Sequence, residues 1–281
     1  MEQLDDIMTT TELAAIIPER WSTQWYPTLL AEIVFSDVVS RDYQGEIASL
    51  GDTVNVTTWP EFSSAVEIQE NERVVAQALT PSTIQLVINK QVALDYIVTT
   101  KAEKQSLAHA DALQMLTMHG ILKKMENIII STISPSASAP DHQIAYDSGT
   151  TLALADMLEG KELMDVQNVP KMGRVMIFDA PQENDIFNIT GFTSRDFIPA
   201  GSPLTEGALV TPILGFKPMQ STLTSNVTYL FHPAFMQLAV QENPSVKVYD
   251  RGAAGYRSLR VNSTVLFGVK QFSDVRVVQI G

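Results

Sequence analysis

Four histidines stand in the chain, His109, His119, His142 and His232. No two are four apart and no H-E-x-x-H occurs, so the spacing that brings two ring nitrogens to one zinc from one helix face is missing. His109 and His119, ten apart on one helix-patterned segment, read as surface or packing residues. Cysteine is absent, which excludes disulfides, thiol catalysis and cysteine-ligated metal. Neither G-x-S-x-G, nor an S-x-x-K with supporting partners, nor G-x-G-x-x-G, nor a P-loop is present. Asp179 follows an apolar run, where a strand-end carboxylate could act as an acid or base. The next residues, Ala-Pro181-Gln-Glu183, fit a helix N-cap better. The acids Glu61, Glu67, Glu70 and Glu72 lack the D-x-D-x-D-G spacing of a calcium loop and read as a solvated or partner-facing stretch. No catalytic, cofactor-binding or metal-ligating residue is therefore assigned, and the expectation is a protein that is not an enzyme and carries no cofactor.

A charge contrast remains. Residues 60–82 hold those four glutamates against Arg73, a local −3. Residues 243–281 hold Lys247, Arg251, Arg257, Arg260, Lys270 and Arg276 against Asp250 and Asp274, a local +4. Opposite patches in one chain can pair across a repeated interface, which sets register and specificity more than raw affinity. Glu61, Glu67, Glu70, Glu72, Arg251, Arg257 and Arg260 are the expected inter-subunit contacts. Separate solvation of each patch, or a basic surface for nucleic acid, are the competing readings.

The bulk properties bound these choices. With 281 residues, 45% hydrophobic and 18% charged, the chain is globular and can bury a large core. It carries 32 acidic and 19 basic residues, so its formal charge of −13 opposes non-specific nucleic-acid binding. The start, Met1-Glu-Gln-Leu-Asp-Asp, has no basic or apolar leader pattern, and no apolar run is long enough to span a bilayer.

The elements that must position the contacts follow from periodicity. Residues 1–45 carry eight acidic and two basic side chains, with Trp21, Trp25, Tyr26 and Phe35 as apolar anchors and Pro18 and Pro27 as interruptions. An extended arm and an ordinary N-terminal helical pair explain this equally well. After Gly51-Asp52, Val54, Val56 and Thr58 alternate with Thr53, Asn55 and Thr57, predicting a half-exposed strand. A returning β run over Thr83–Tyr96 would pair with it as a hairpin with a long end. A helix of about thirty residues is predicted from Lys101 to Ser131. Thr100 and Glu103 form its capping box, and Met118, Ile121, Leu122, Met125, Ile128 and Ile129 its buried face. Lys123, Lys124 and Glu126 fall off that face. Ser134–Pro140 is a small-residue loop and a candidate boundary. A second helix over 150–168 has Leu154, Met157, Leu158 and Met164 on one stripe, Arg174–Phe178 is a buried strand, and a helix follows Asp179. Short β runs are expected over 207–231, including Ala208–Val210 and Val227–Phe231. A short helix is expected over His232–Val240, and β structure over Ser263–Ile280.

The order of these parts resembles the major capsid protein family of tailed bacteriophages, whose fold is shared with encapsulins. Gly51–Trp59 and Thr83–Tyr96 match its extended β-hairpin loop, and Thr100–Ser131 its spine helix. Arg174–Pro181 with the following helix matches the first axial-domain strand and helix. Gly215-Phe216-Lys217, then His232-Pro-Ala-Phe235, match later axial features. The resemblance covers nearly the whole chain and rests on order rather than an invariant signature. It implies an α+β fold divided as N-terminal arm 1–45, extended loop 46–90, peripheral domain with spine helix 91–140, axial domain 141–242 and a return to the peripheral sheet over 243–281. It implies a structural role: pentamers and hexamers closing into an icosahedral head around double-stranded DNA, held without sequence-specific binding, in a virion assembled in the host cytoplasm. Scaffolding, portal or decoration proteins would be partners, and no membrane. Some members crosslink through a lysine in the extended loop. Residues 50–89 contain no lysine, so no such crosslink is expected. Other members carry a long N-terminal scaffolding region that a protease removes; here the chain starts almost directly with the arm, so either that region is absent, which Met1 favours, or the sequence is a renumbered mature form. An encapsulin-like compartment shell, or a soluble α+β enzyme, are the alternatives.

Overall fold

The computed structural model describes residues 29–47, 52–62, 65, 67–70, 73–74, 76–99, 101, 110–138, 140–147, 149–189, 212–250 and 258–281. Trp21, Trp25, Tyr26, the Thr100–Glu103 capping box, His109, Glu72, Arg251, Arg257 and the Ala208–Val210 run lie outside the described residues.

A five-stranded mixed sheet forms the centre. Its strands are β4 (Gln143–Ile144), β10 (Val277–Ile280), β7 (Thr228–Phe231), β5 (Val175–Phe178) and β6 (Lys217–Gln220), in that spatial order. β5 and β7 are buried at every position. Apolar runs without alternation have this cause: side chains alternate between faces, and here both faces meet a core. Val175 and Ile177 join Tyr229, Phe231 and Val277 in one cluster. Met176 and Phe178 join Leu230, Val278 and Ile280 in the other. The second cluster is closed by α4 (Leu154–Val166) and α5 (Ala180–Asn188) through Met157, Met164 and Ile186.

The first cluster is closed by α3 (Ala110–Thr132), through Ile121, Met125 and Ile129, and by a second, three-stranded sheet. That sheet has β9 (Ser258–Gln271) between β3 (Lys90–Thr99) and β8 (Met236–Asp250), all antiparallel. Pro244 can sit in β8 because β8 is an edge strand, and the register slips on either side of Glu242 break the ladder there. The two-stranded ribbon of β1 (Thr53–Thr58) and β2 (Ser82–Val87) forms a third, separate sheet. Two short helices, α1 (Phe35–Val38) and α2 (Gln44–Ile47), precede it. Among the described residues no helix is long and apolar enough to cross a membrane.

Several sequence expectations need correction. The helix over His232–Val240 is a single 3-10 turn, Pro233–Phe235, followed at once by β8. His232 Nδ1 accepts the Ala234 N–H, as a cap would, but the next five residues, Met236–Val240, are all buried. Met236, Leu238 and Val240 face the central cluster while Ala239 faces a smaller one, a period of two that overrides helical propensity. The return run over Thr83–Tyr96 is two strands in two sheets, separated at Ile88–Asn89. On α4, Leu158 is 45% exposed. The inward position is taken by Gly160, where a Cβ would lie 2.7 Å from Leu230 Cδ1, so a larger residue there would require the Leu230 side chain to shift. Glu126, expected off the packed face of α3, is fully buried. Of the segment 243–281, residues 243–250 and 258–271 lie in the three-stranded sheet, whereas β10 lies in the central one, between β4 and β7.

Candidate assembly interface

The β1–β2 ribbon presents a surface that the other described residues leave largely uncovered. Its pairing is regular from Thr53 opposite Val87 to Thr58 opposite Ser82. Most of its residues are exposed or half-exposed, and only Leu86 is buried. Beyond the paired part, Trp59 is 63% and Phe62 60% exposed, and Ile68 and Val74 are exposed as well. Two open strands with large apolar side chains at the far end lack a core of their own, and a two-stranded ribbon alone is marginal in water. Glu61, Glu67 and Glu70 are exposed on the same stretch.

The ribbon is fixed at its base. Leu86 and Ile88 pack with Ala239, bordered by Val54, Tyr43, Leu266 and Phe272. The Ile88 N–H donates to the Asp52 carbonyl at 2.7 Å, which closes the ribbon's open end. Beneath it, β9 offers Gly268. A Cβ there would stand 2.4 Å from the Val87 carbonyl oxygen, 2.9 Å from Val87 C and 3.0 Å from Ile88 Cα. All three are backbone atoms, so the ribbon crosses the sheet at a distance only glycine permits.

Arg260 sits on β9 opposite Ile97 of β3 and Tyr249 of β8. Its Nε donates to Asp95 Oδ2 at 2.6 Å, and Nη2 pairs with the same oxygen. That hydrogen bond, together with the Asp95 charge, raises the arginine further above its ordinary value. The structure thus gives one expected contact residue, Arg260, a partner in its own chain. Glu61, Glu67 and Glu70 stay exposed along the stretch beyond the paired strands.

The N-terminal root of the fold is held by a second polar feature. Glu126 of α3 accepts the backbone N–H groups of Val34 at 2.8 Å and Ser36 at 3.0 Å, and that of Phe35. These are free first-turn donors of α1, which a carboxylate satisfies well. Two turns earlier on α3, His119 Nε2 lies 2.7 Å from the Ala31 carbonyl and donates to it. Phe35 fills the core between them, stacked on Phe231 at 5.9 Å and edge-on to Tyr229 at 5.8 Å. Further along, Ser40 and Asp42 bond β8 through the Leu238 and Gln237 groups. Burial raises the Glu126 carboxyl above its ordinary value; the three N–H donors pull it back, and nearby Asp37 pushes it up again. A glutamate at a position off the periodic apolar stripe gives no sequence signal of this role.

The remaining polar side chains singled out by sequence are structural. Asp179 is the N-cap of α5: it accepts from Ala180 N at 2.8 Å and, through its other oxygen, from Asn226 N at 3.0 Å, while Gln182 returns a bond to the Asp179 N–H. Arg174 is buried and staples the end of α4, donating to the carbonyls of Val169 and Pro170 and pairing with Asp165 at 2.7 Å. Burial alone would raise Asp165, yet the Arg174 and Lys161 partners hold it below its ordinary value. His142 is buried, with Nδ1 3.0 Å from the Pro140 carbonyl. His232 is held below the usual imidazole value, first by burial and then by the charges of Arg276 and Arg174. No group of three or more metal-ligating side chains occurs among the described residues.

This architecture is that of phage capsid subunits. The chain is similar to a structure from Mycobacterium phage Che8, at TM-score 0.76 and 20% identity, covering 94% of this chain and 97% of that one. It is similar to the capsid of Cyanophage P-SCSP1u, at TM-score 0.78 and 12% identity, covering 95% and 93%. It is also similar to the capsid asymmetric unit of Cyanophage Pam1, at TM-score 0.73 and 13% identity, covering 99% and 98%. The fold class expected from the sequence, an α+β tailed-phage capsid fold, is thereby shown. No protein-family model and no curated protein matches the chain.

Proposed function

We propose that this chain is a major capsid protein: a shell subunit that assembles with its own copies, as pentamers and hexamers, into an icosahedral phage head enclosing double-stranded DNA. The observation that carries the reading is the full-length likeness to capsid structures, in which each chain covers more than nine-tenths of the other. The exposed ribbon supports it, because Trp59 and Phe62 need a surface that a second copy can supply. A heterologous contact of this kind, ribbon on neighbour, closes into rings when the rotation fits. The acidic balance, −13 overall, suits a container that holds DNA without gripping it.

Within that reading Glu61, Glu67, Glu70 and Glu72 face the basic segment 243–281 of an adjacent subunit, at Arg251, Arg257 and Arg260. Arg260 already bonds Asp95, so a neighbour's carboxylate would share it rather than claim it free. Scaffolding, portal or decoration proteins are the expected further partners. The test is negative-stain electron microscopy of the purified full chain after size exclusion. Closed shells, or free pentamers and hexamers, support the proposal. A monomer or dimer unchanged by concentration and crowding refutes it, and a cargo protein inside DNA-free shells would make the chain a compartment shell instead.

A further inference from the structure

The two ends of the central sheet carry unlike charge. Val175 and Val277 both pair with Phe231, and Lys217 pairs with Val175, so β5, β6 and β10 start where β7 finishes. Lys171, Arg174, Lys217 and Arg276 gather at that end. Backbone bonds tie their positions together: the Lys217 N–H donates to the Arg174 carbonyl at 2.9 Å, and the His232 N–H to the Arg276 carbonyl at 3.1 Å. Asp165 pairs with Arg174. Asp141 precedes β4 and Asp274 precedes β10, so the β5–β6 side of the row is left cationic. At the opposite end lie Asp147, Asp156, Asp179, Glu183 and Asp185, and the segments 145–156, 179–189 and 220–228 hold no lysine or arginine.

Part of this polarity is helix capping. α4 and α5 both begin at the acidic end, where Asp156 and Asp179 accept backbone N–H groups, and Asp185 accepts that of Leu152. α4 finishes at the cationic end, where Arg174 donates to the Val169 and Pro170 carbonyls. Capping leaves over Lys171, Lys217 and Arg276 at one end, and the carboxylates of Asp147 and Glu183 at the other. None of these five has an ion-pair partner among the described residues, and Lys171, Lys217 and Asp147 are exposed. Met172, next to Lys171, is 88% exposed, so the cationic end also holds a large apolar side chain in water.

We propose that these ends form a second contact between copies, the cationic end of one subunit against the acidic end of the next. The charges favour a second copy as the occupant: the acidic counterpart is in the same chain, and the −13 balance opposes a polyanion such as DNA. The ends point in opposite directions along the strands, so the contact is head-to-tail and repeats until a rotation closes a ring. Unlike Arg260, Lys171 and Lys217 are not spent on an acid of their own chain. The inference rests on the shell reading and names one of its contacts.

The test is shell yield of the full chain, by size exclusion and negative-stain electron microscopy, in three variants. One reverses the cationic end, Lys171→Glu with Lys217→Glu. Another reverses the acidic end, Asp147→Lys with Glu183→Lys. The third carries all four substitutions. Each single-end variant should lose at least about tenfold in yield, since like charges then face each other. The fourfold variant should regain most of that loss, because opposite charges meet again. Unchanged yields in the single-end variants, or no recovery in the fourfold one, overturn the contact and leave the shell reading standing. Absence of shells from the wild type overturns both. A cationic-end variant that forms normal shells but retains less DNA assigns that end to nucleic acid and overturns the contact. Thermal unfolding of the unassembled subunits checks that each variant folds. Should a reversal not fold, Lys171→Gln with Lys217→Gln carries the test. Its yield should fall and lose the wild type's salt dependence between about 0.15 M and about 1 M, over which the screening length drops from about 8 Å to about 3 Å. A salt dependence equal to the wild type's overturns the contact.

Discussion

Replacing Gly268 by alanine should disturb the ribbon more than the fold. The new methyl would lie 2.4 Å from the Val87 carbonyl oxygen, where ordinary contact needs roughly 1 Å more. The obstructing atoms are backbone, so no rotamer change relieves the clash and β2 must lift. A displacement of about 1 Å across a strand spacing of about 4.8 Å tilts the ribbon by about 12°. Six paired residues span about 20 Å, so the far end carrying Trp59 swings by about 4 Å. Overpacking of this kind costs about 1–3 kcal/mol. For a chain of this size that lowers Tm by about 2–5 °C. Differential scanning calorimetry reads the stability term, and electron microscopy with size exclusion reads shell yield. The expected result is a folded chain with a modestly lower Tm and a much larger loss of closed shells. An alanine variant with wild-type Tm and wild-type shells would refute the argument that glycine is required at this crossing.

Other perturbations separate core from surface. Ile129→Ala, fully buried on α3, should cost about 2–5 kcal/mol in urea unfolding, whereas Met115→Ala on the exposed side should stay within about 0.5 kcal/mol. Trp59→Ser with Phe62→Ser should leave the unfolding curve of the isolated subunit unmoved while abolishing assembly; normal shells from that variant would show the ribbon end is not a contact. For His232 the folded value is depressed, so its contribution is present above the ordinary imidazole value and lost as pH falls. Thermal unfolding from about pH 8 to about pH 5 should show a decline that His232→Gln reduces, since protonation also ends the Nδ1 acceptance from Ala234.

Local periodicity carried much of this fold. The alternation over Thr53–Thr58, the buried run Val175–Phe178 and the helical stripe Ile121–Met125–Ile129 each predict the observed element, because how many faces are packed, one or both, sets each pattern. The Asp179 cap was equally readable, since its partners lie within a few residues. What failed depended on distant chain. Met236–Val240 has helical composition and becomes a strand because two cores flank it. Glu126 resembles a solvated helix charge until residues 34–36, ninety or more positions away, bring their amides to it. The close crossing at Gly268 was invisible for the same reason: nothing around a glycine in a β run says which backbone will pass over it. At the candidate interface the sequence marked the acidic stretch, but the exposed Trp59 and Phe62 emerged only once the ribbon was seen to stand apart from both cores.

Glu126 grips peptide groups and no side chain. The place of residues 34–36 is therefore held twice, through their peptide groups by one position on a distant helix and through the Phe35 ring in the core. Ser36 gives Glu126 only its amide, so proline, which has no N–H, is the substitution that should be refused there. The carboxylate's own demand on residues 34–36 is one N–H each, so what limits their side chains is the core around them and not Glu126.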